Sequence, residues 1–259
     1  MTDHELAARL ATEAGRLLLA VRDELADATA DERKAIGDKR SHDFLMHALA
    51  TERSGDAVLS EEGLDDPVRL SAERVWIVDP LDGTREFSEL GRTDWAVHVA
   101  LWQAGVAAHP SQAEGPPAQG AGGLVAGAIA LPAQKVTLAT PTVPAPPAAP
   151  STPRIVVSRT RPPAIALDVR DALGGTLVEM GSAGAKVASI AQGFADVYVH
   201  AGGQYEWDNA APVAVARAAG LHASRIDGSA LEYNRRDPSL PDLLVCRPEL
   251  ADAVLAVTG

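Results

Sequence analysis

Asp79-Pro80-Leu81-Asp82-Gly83-Thr84 is the stretch on which the reading of this chain turns. It directly follows the apolar run Val75-Trp76-Ile77-Val78, whose aromatic and β-branched residues predict a strand. Two carboxylates three residues apart, with a proline between them, therefore stand where a strand is expected to give way to a turn. Gly83 lets the chain turn closely, and a helix is expected from Thr84. This arrangement aims two acidic side chains and the Leu81 carbonyl into one pocket. It also places the backbone N–H groups of Gly83 and Thr84 at a helix start, where an anion can dock.

Further acidic groups flank this segment. Glu61-Glu62 follows a short strand expected at Ala57-Val58-Leu59, and Glu206-Trp207-Asp208 stands at the start of a helix expected over 209–219. If Glu61, Asp79, Asp82 and Asp208 converge, the four cannot all stay ionised without cations. Two divalent ions would balance them. An all-oxygen donor set of this kind suits Mg²⁺ or Mn²⁺ better than zinc. Removing one carboxylate from so crowded a pocket is expected to stabilise the metal-free protein.

The rest of the chain supports a folded, aliphatic protein. It has 259 residues, 46% hydrophobic and only 4% aromatic, with a net charge of −12. That acidity excludes a nucleic-acid backbone binder, which needs clustered cations. One cysteine, Cys246, excludes an intrachain disulfide and a cysteine-based zinc cluster. No apolar run reaches the length of a bilayer span, and no basic, apolar leader is visible at Met1-Thr2-Asp3-His4-Glu5, so a cytoplasmic protein without a membrane partner is the default expectation.

Thr2-x-x-Glu5 is a capping-box pattern that predicts a first helix, with Leu6, Leu10, Leu17, Val21 and Leu25 near one face. A second helix is expected over 41–53, and strands over 95–102, 124–131 and 136–139. From Ile155 onward, strands and helices alternate. Proline concentrates between Pro110 and Pro163; His109 to Gly123 reads as a mobile loop and Pro141 to Pro153 as a linker that cannot pack a core. Two lobes follow: an α+β lobe over 1–150 carrying most of the acidic motifs, and an α/β lobe over 151–259 supplying Asp208. His98 has no metal-ligand spacing and reads as a structural or surface residue, and Cys246 as a buried inert thiol.

Glu61-Glu62, Asp79 to Thr84 and Trp207-Asp208 resemble, in order and spacing, the three metal-site motifs of the inositol monophosphatase superfamily. The continuation Arg85-Glu86-Phe87, with Gly181-Ser182-Ala183-Gly184-Ala185-Lys186 and 227–234, is similar to the CysQ-type 3′(2′),5′-bisphosphate nucleotidase branch. The resemblance implies a layered αβαβα sandwich of the inositol monophosphatase and fructose-1,6-bisphosphatase type. It implies a lithium-sensitive, Mg²⁺-dependent phosphomonoesterase. The expected substrate is 3′-phosphoadenosine 5′-phosphate or its sulfated form, cleaved at the 3′-phosphate in sulfate assimilation or nucleotide recycling.

By motif, Glu61, Asp79, the Leu81 carbonyl, Asp82 and Asp208 would be ligands to two Mg²⁺ ions, with a third ion open and Mn²⁺ a substitute. Gly83 and Thr84 would hold the phosphate, with Asp82 and Asp208 also facing the substrate. Arg85 and Lys186 are the candidates for its second phosphate. Thr84, Glu61 and an upstream Asp would orient the attacking water. Asp38 fits that role first and Asp43 second. The family's usual Val-Thr-x-x-Asp is here Lys34-Ala35-Ile36-Gly37-Asp38. Alternatives are an inositol-1-phosphatase or fructose bisphosphatase of the same fold, and a non-catalytic phosphonucleotide sensor. A monomer or a homodimer is expected.

Overall fold

In the computed structural model, which describes residues 1–107 and 122–259, Thr2 and Thr29 start helices by the same device. The Thr2 hydroxyl accepts the Glu5 N–H at 3.2 Å, and the Glu5 carboxylate accepts the Thr2 N–H at 2.8 Å. Thr29 and Glu32 repeat the exchange at 3.2 and 2.9 Å. Helix α1 runs over Asp3–Glu24 and α2 over Ala30–Glu52. On α1, Leu18 is buried in place of the expected Leu17.

The second helix thus begins eleven residues before the expected Ser41, and Asp38 lies inside it rather than upstream. Its buried stripe is Arg33, Gly37, Ser41, Leu45 and Leu49. The first three carry no apolar signal. Arg33 is buried because its guanidinium donates to the carbonyls of Leu25, Ala26 and Ser88.

Strands β1 (Ala57–Ser60), β2 (Arg74–Asp82), β3 (Ala96–Ala104), β4 (Gly122–Leu131) and β5 (Val136–Ala139) pair in chain order, with the short helix α3 (Thr84–Ser88) after β2. β1 and β2 are parallel and the other pairs antiparallel. The expected 109–123 loop lies outside the described residues, apart from Gly122 and Gly123, which belong to β4.

The second sheet has the order β7-β6-β8-β10-β9, from β6 (Arg154–Ser158), β7 (Thr176–Met180), β8 (Val197–Tyr205), β9 (His222–Ser224) and β10 (Ser239–Cys246). Helices α4 (Ala164–Leu173), α5 (Ala183–Ala191), α6 (Glu206–Ala218) and α7 (Ala251–Thr258) complete it.

α1 and α2 cover one face of the first sheet, α5 and α6 lie between the sheets, and α4 and α7 cover the far face of the second. The result is the five-layer αβαβα sandwich. The central apolar cluster draws on both sheets, from Ile77, Ala100 and Ile129 to Ala188, Val213 and Val245. Residues 141–153 are irregular, as expected, but they do pack. Val143 enters the central core, and the Pro147 carbonyl accepts from Arg247 at 2.8 Å. Cys246 is buried, its thiol pushed up to about 12 by burial. Among the described residues, no helix is long and apolar enough to cross a membrane.

Candidate active site

Strand register brings the acidic motifs together. β1 pairs with β2 so that Ser60 lies opposite Val78, and the Glu61 N–H reaches the Val78 carbonyl at 3.4 Å. The next residues, Glu61 and Asp79, are therefore side by side. Asp79 has the parity of Val75 and Ile77, whose side chains enter the central core, so it points toward α5 and α6.

Asp82, three residues on, would face the opposite way in a regular strand. It does not, because β2 does not end at Val78 as the sequence suggests. It continues to Asp82 through an irregularity: Asp79 pairs with His98 and Asp82 with Ala96, so three steps on β2 match two on β3. The extra residue restores parity and turns Asp82 to the same side. Pro80, without an N–H, suits the break in the ladder. Its carbonyl accepts the Ser41 hydroxyl of α2 at 2.7 Å. Gly83 then takes φ +84°, and a Cβ there would also come 2.9 Å from the Ser182 Cβ.

The Asp82 carboxylate docks on the start of α5. It accepts from the Ser182 hydroxyl at 2.5 Å, from Gly184 N–H at 2.6 Å and from Ala183 N–H at 3.2 Å. His98 Nε2 lies 3.2 Å from it. Burial alone would raise this carboxyl; the His98 ring and the Ser182 and Gly184 donors outweigh it and hold Asp82 at about 2.

Asp79 and Asp208 have less compensation; Asp79 accepts the Leu81 N–H at 2.9 Å. Asp208 stands in the first turn of α6, which begins at Glu206, three residues before the expected Asn209. Its carboxylate accepts the Tyr205 N–H at 2.6 Å, so it also caps the helix. One oxygen from each of Asp79, Asp82 and Asp208 lies within 4.8 Å of the others. Burial and then the Asp82 charge raise Asp208 to about 7. Burial, Glu61 and Asp82 raise Asp79 well above the usual carboxylate range. Glu61, at the solvent side, is raised to about 7 by desolvation, against a lowering hydrogen bond with Asp79 and with further raising by Asp82, Glu62 and Asp38. A cluster of carboxylate oxygens whose charges are only partly compensated fits a hard divalent cation. Glu206 stays out of it, turned to the N–H groups of Asn234 and Arg235 at 2.7 and 2.8 Å.

A pH dependence follows. In the unfolded chain Glu61, Asp79 and Asp208 ionise near their ordinary values; in the folded chain Glu61 and Asp208 resist until about 7, and Asp79 is held well above its ordinary value. Rising pH between about 4 and 7 therefore favours unfolding of the metal-free protein. His98, whose pKa is raised by Asp82 against the lowering effect of burial, adds in the same sense. Asp82 acts oppositely, but only below about pH 4. In chelator, the thermal midpoint should be higher at about pH 5.5 than at about pH 8 by at least ~2–4 °C, the effect of about 1 kcal/mol in a chain this size. Saturating Mg²⁺ should narrow the gap. A chelated protein more stable at the higher pH would contradict the crowding.

Of the two water-activating candidates, Asp38 is half-buried and pushed up to about 7 by burial and by Glu62, and it acts in turn on Glu61. Asp43 is exposed, paired with Lys39 at 2.7 Å. The Thr84 hydroxyl donates to the Leu81 carbonyl at 3.3 Å.

Beside the cluster opens a cleft of about 340 Å³, lined by Asp82, Gly83, Thr84, Arg85, Lys186 and Asp208 and also by Ser158 to Arg161, Tyr198, His200 and Gln204. Arg85 is exposed at its edge. Lys186 is buried, its ammonium donating to the carbonyls of Gly181 and Ser182 and lying 5.2 Å from the Tyr198 ring centre. Arg159 is held by Glu86 and Glu89 at 2.7 and 2.9 Å.

A model of the inositol monophosphatase family matches residues 3–258. The chain belongs to the inositol monophosphatase family. Within that family it is 49% identical to a 3′-phosphoadenosine 5′-phosphate phosphatase of Mycobacterium leprae, over 99% of this chain and 93% of that one. A protein of the same description from Mycobacterium tuberculosis is 50% identical over 94% of this chain and 88% of its own. Among solved structures, CysQ of Bacteroides thetaiotaomicron superposes with a TM-score of 0.72 at 27% identity, over 93% and 96% of the two chains.

Beyond the family motifs, the structure adds residues that the sequence reading passes over. His98, expected to be structural or at the surface, is fully buried, with Nε2 against Asp82. Arg69, also buried, pairs with Asp65 at 2.6 Å and donates to the Asn234 side chain and the Arg235 carbonyl, each at 2.8 Å. It thereby ties the segment after Glu61-Glu62 to the one that Glu206 holds. Ser158, Thr160 and Arg161 reach the cleft because β6 ends there.

Proposed function

We propose that this family member is a Mg²⁺-dependent phosphomonoesterase that removes the 3′-phosphate of 3′-phosphoadenosine 5′-phosphate, leaving AMP, and that its sulfated analogue is a second substrate. The observation that carries this is the convergence of Asp79, Asp82 and Asp208 within 4.8 Å beside a cleft roomy enough for a nucleotide. The description of relatives near 50% identity supports the choice of nucleotide. Glu61, Asp79, the Leu81 carbonyl, Asp82 and Asp208 would hold two Mg²⁺, and Mn²⁺ in their place. Bound ions of this kind neutralise phosphoryl charge and make water a better nucleophile.

The chain's own groups do the rest. Gly83 and Thr84 present the scissile phosphate to the cluster. The Thr84 hydroxyl, fixed by the Leu81 carbonyl, orients the attacking water with Glu61. Asp38, with its pKa near neutrality, is the group suited to take up a proton. Asp82 stays ionised throughout because α5 and His98 stabilise its charge.

The second phosphate distinguishes this substrate from a simple monoester. Arg85, exposed at the cleft, is free to meet it. Lys186 is less so, since its ammonium already secures two carbonyls beside Asp82. Arg85→Ala should lower kcat/KM for the bisphosphate by roughly tenfold, about 1.5 kcal/mol, and leave inositol 1-phosphate nearly unchanged. Lys186→Ala should lower both substrates together. Phosphate release from the bisphosphonucleotide, its sulfated form, inositol 1-phosphate and fructose 1,6-bisphosphate tests the reading. The nucleotides should be preferred. Equal or better hydrolysis of inositol or fructose phosphates would replace it with the broader phosphatase, and binding without release would make the chain a sensor.

A further inference from the structure

We infer that His98 is a positioning residue, clamping the Asp82 carboxylate and the first turn of α6 in one register so that Asp82 and Asp208 face the same cation. The imidazole is fully buried on β3, two residues from its start. Its Nε2 lies 3.2 Å from Asp82 Oδ2. Its Nδ1 lies 3.0 Å from the carbonyl oxygen of Trp207, the residue before Asp208. The ring is thus in hydrogen-bond contact with the Trp207 carbonyl on one side and in close polar contact with the Asp82 carboxylate on the other.

These contacts join parts that the chain brings from far apart. Asp82 lies on the first sheet, whereas Asp208 lies on a helix packed between the sheets. Ser182 and Gly184 tie Asp82 to α5. His98 ties it to α6. A rigid ring with two nitrogens on opposite sides suits that span, because neither contact can be made at the expense of the other. The neighbouring backbone is shaped around the ring: a Cβ on Gly184 would fall inside the surface of Nε2. His98 also pairs in register with Asp79, so the ring is enclosed by all three carboxylate-bearing segments.

The inference rests on the metal-site reading above, and its test separates the two. Thermal midpoints of the full-length protein are measured against Mg²⁺ concentration, for the wild type and for His98→Leu, His98→Asn and His98→Gln. Partners that orient metal ligands typically change metal affinity about 10- to 100-fold. His98→Leu should raise the Mg²⁺ concentration for half-maximal stabilisation by that factor. Asn keeps an amide near the Nδ1 position and Gln one near Nε2, so each should restore one contact and show a smaller rise. At saturating Mg²⁺, KM for the bisphosphonucleotide should stay near the wild-type value. If His98→Leu does not fold, the Asn and Gln variants give the same reading. Variants that lose metal-free stability but need no more Mg²⁺ than the wild type would make His98 merely structural and overturn the inference. A wild type that Mg²⁺ does not stabilise at all would instead overturn the metal site, and the clamp with it.

Discussion

Asp82→Asn should lower turnover by at least about a thousandfold, the equivalent of roughly 4 kcal/mol of lost transition-state stabilisation. The substitution keeps the size of the side chain but removes the one carboxylate of the cluster that stays fully ionised, at about 2. It should also destabilise the metal-free protein, against the expectation that relieving a crowded pocket helps. The introduced amide can keep its oxygen toward the Gly184 N–H and the Ser182 hydroxyl, but its NH₂ then faces another donor, the Ala183 N–H, where the second carboxylate oxygen now accepts at 3.2 Å. An unsatisfied buried donor costs about 1–3 kcal/mol, which lowers the midpoint by several degrees. The relief belongs to Asp79, whose carboxyl is held well above its ordinary value by burial and by Glu61. Asp79→Asn should therefore abolish activity yet leave metal-free stability equal or higher. Phosphate release and midpoints in chelator distinguish the two variants. Near-normal turnover in Asp82→Asn would contradict its place in the site.

Gly184→Ala should be strongly damaging: of the described glycines it has the nearest neighbour to an added methyl. Gly184 is helical and buried, a setting where alanine ordinarily helps by up to about 1 kcal/mol. Here the added carbon would overlap the fully buried His98 ring. Either the ring leaves Asp82 or α5 slides outward and takes the Gly184 and Ala183 N–H groups with it. Overpacking of this sort costs about 1–3 kcal/mol, and misplacing a reacting group by about 1 Å can cost a hundredfold in rate. The expected result is a lower midpoint together with kcat/KM reduced by about two orders of magnitude. A wild-type rate would show that the ring has room to move.

The acidic motifs are legible because each sits at an element end with its own local signal: a strand into Asp79, a glycine after Asp82, a helix after Asp208. The capping box at Thr2 and the glycine stop at Gly174 are equally local, and they place α1 and the end of α4. What the sequence does not disclose is what depends on pairing. The extra residue that turns Asp82 beside Asp79 exists only in the β2–β3 register. His98 reads as an alternating strand residue until that register places it against Asp82. Asp38 reads as loop because the first half of α2 buries Arg33, Gly37 and Ser41, none of which marks an apolar face. The Thr29-x-x-Glu32 box does mark that helix start, a local signal that the apolar pattern alone passes over. Arg69 offers none, since its partners Asn234 and Arg235 lie 165 and 166 residues away.

The most direct test is phosphate release from 3′-phosphoadenosine 5′-phosphate by protein stripped with a strong chelator, then supplied with Mg²⁺. The expected result is no release above buffer in chelator and full recovery on adding Mg²⁺, since the converging Asp79, Asp82 and Asp208 carboxylates are the groups proposed to hold the cation. Release at an undiminished rate in chelator would contradict a metal-dependent site.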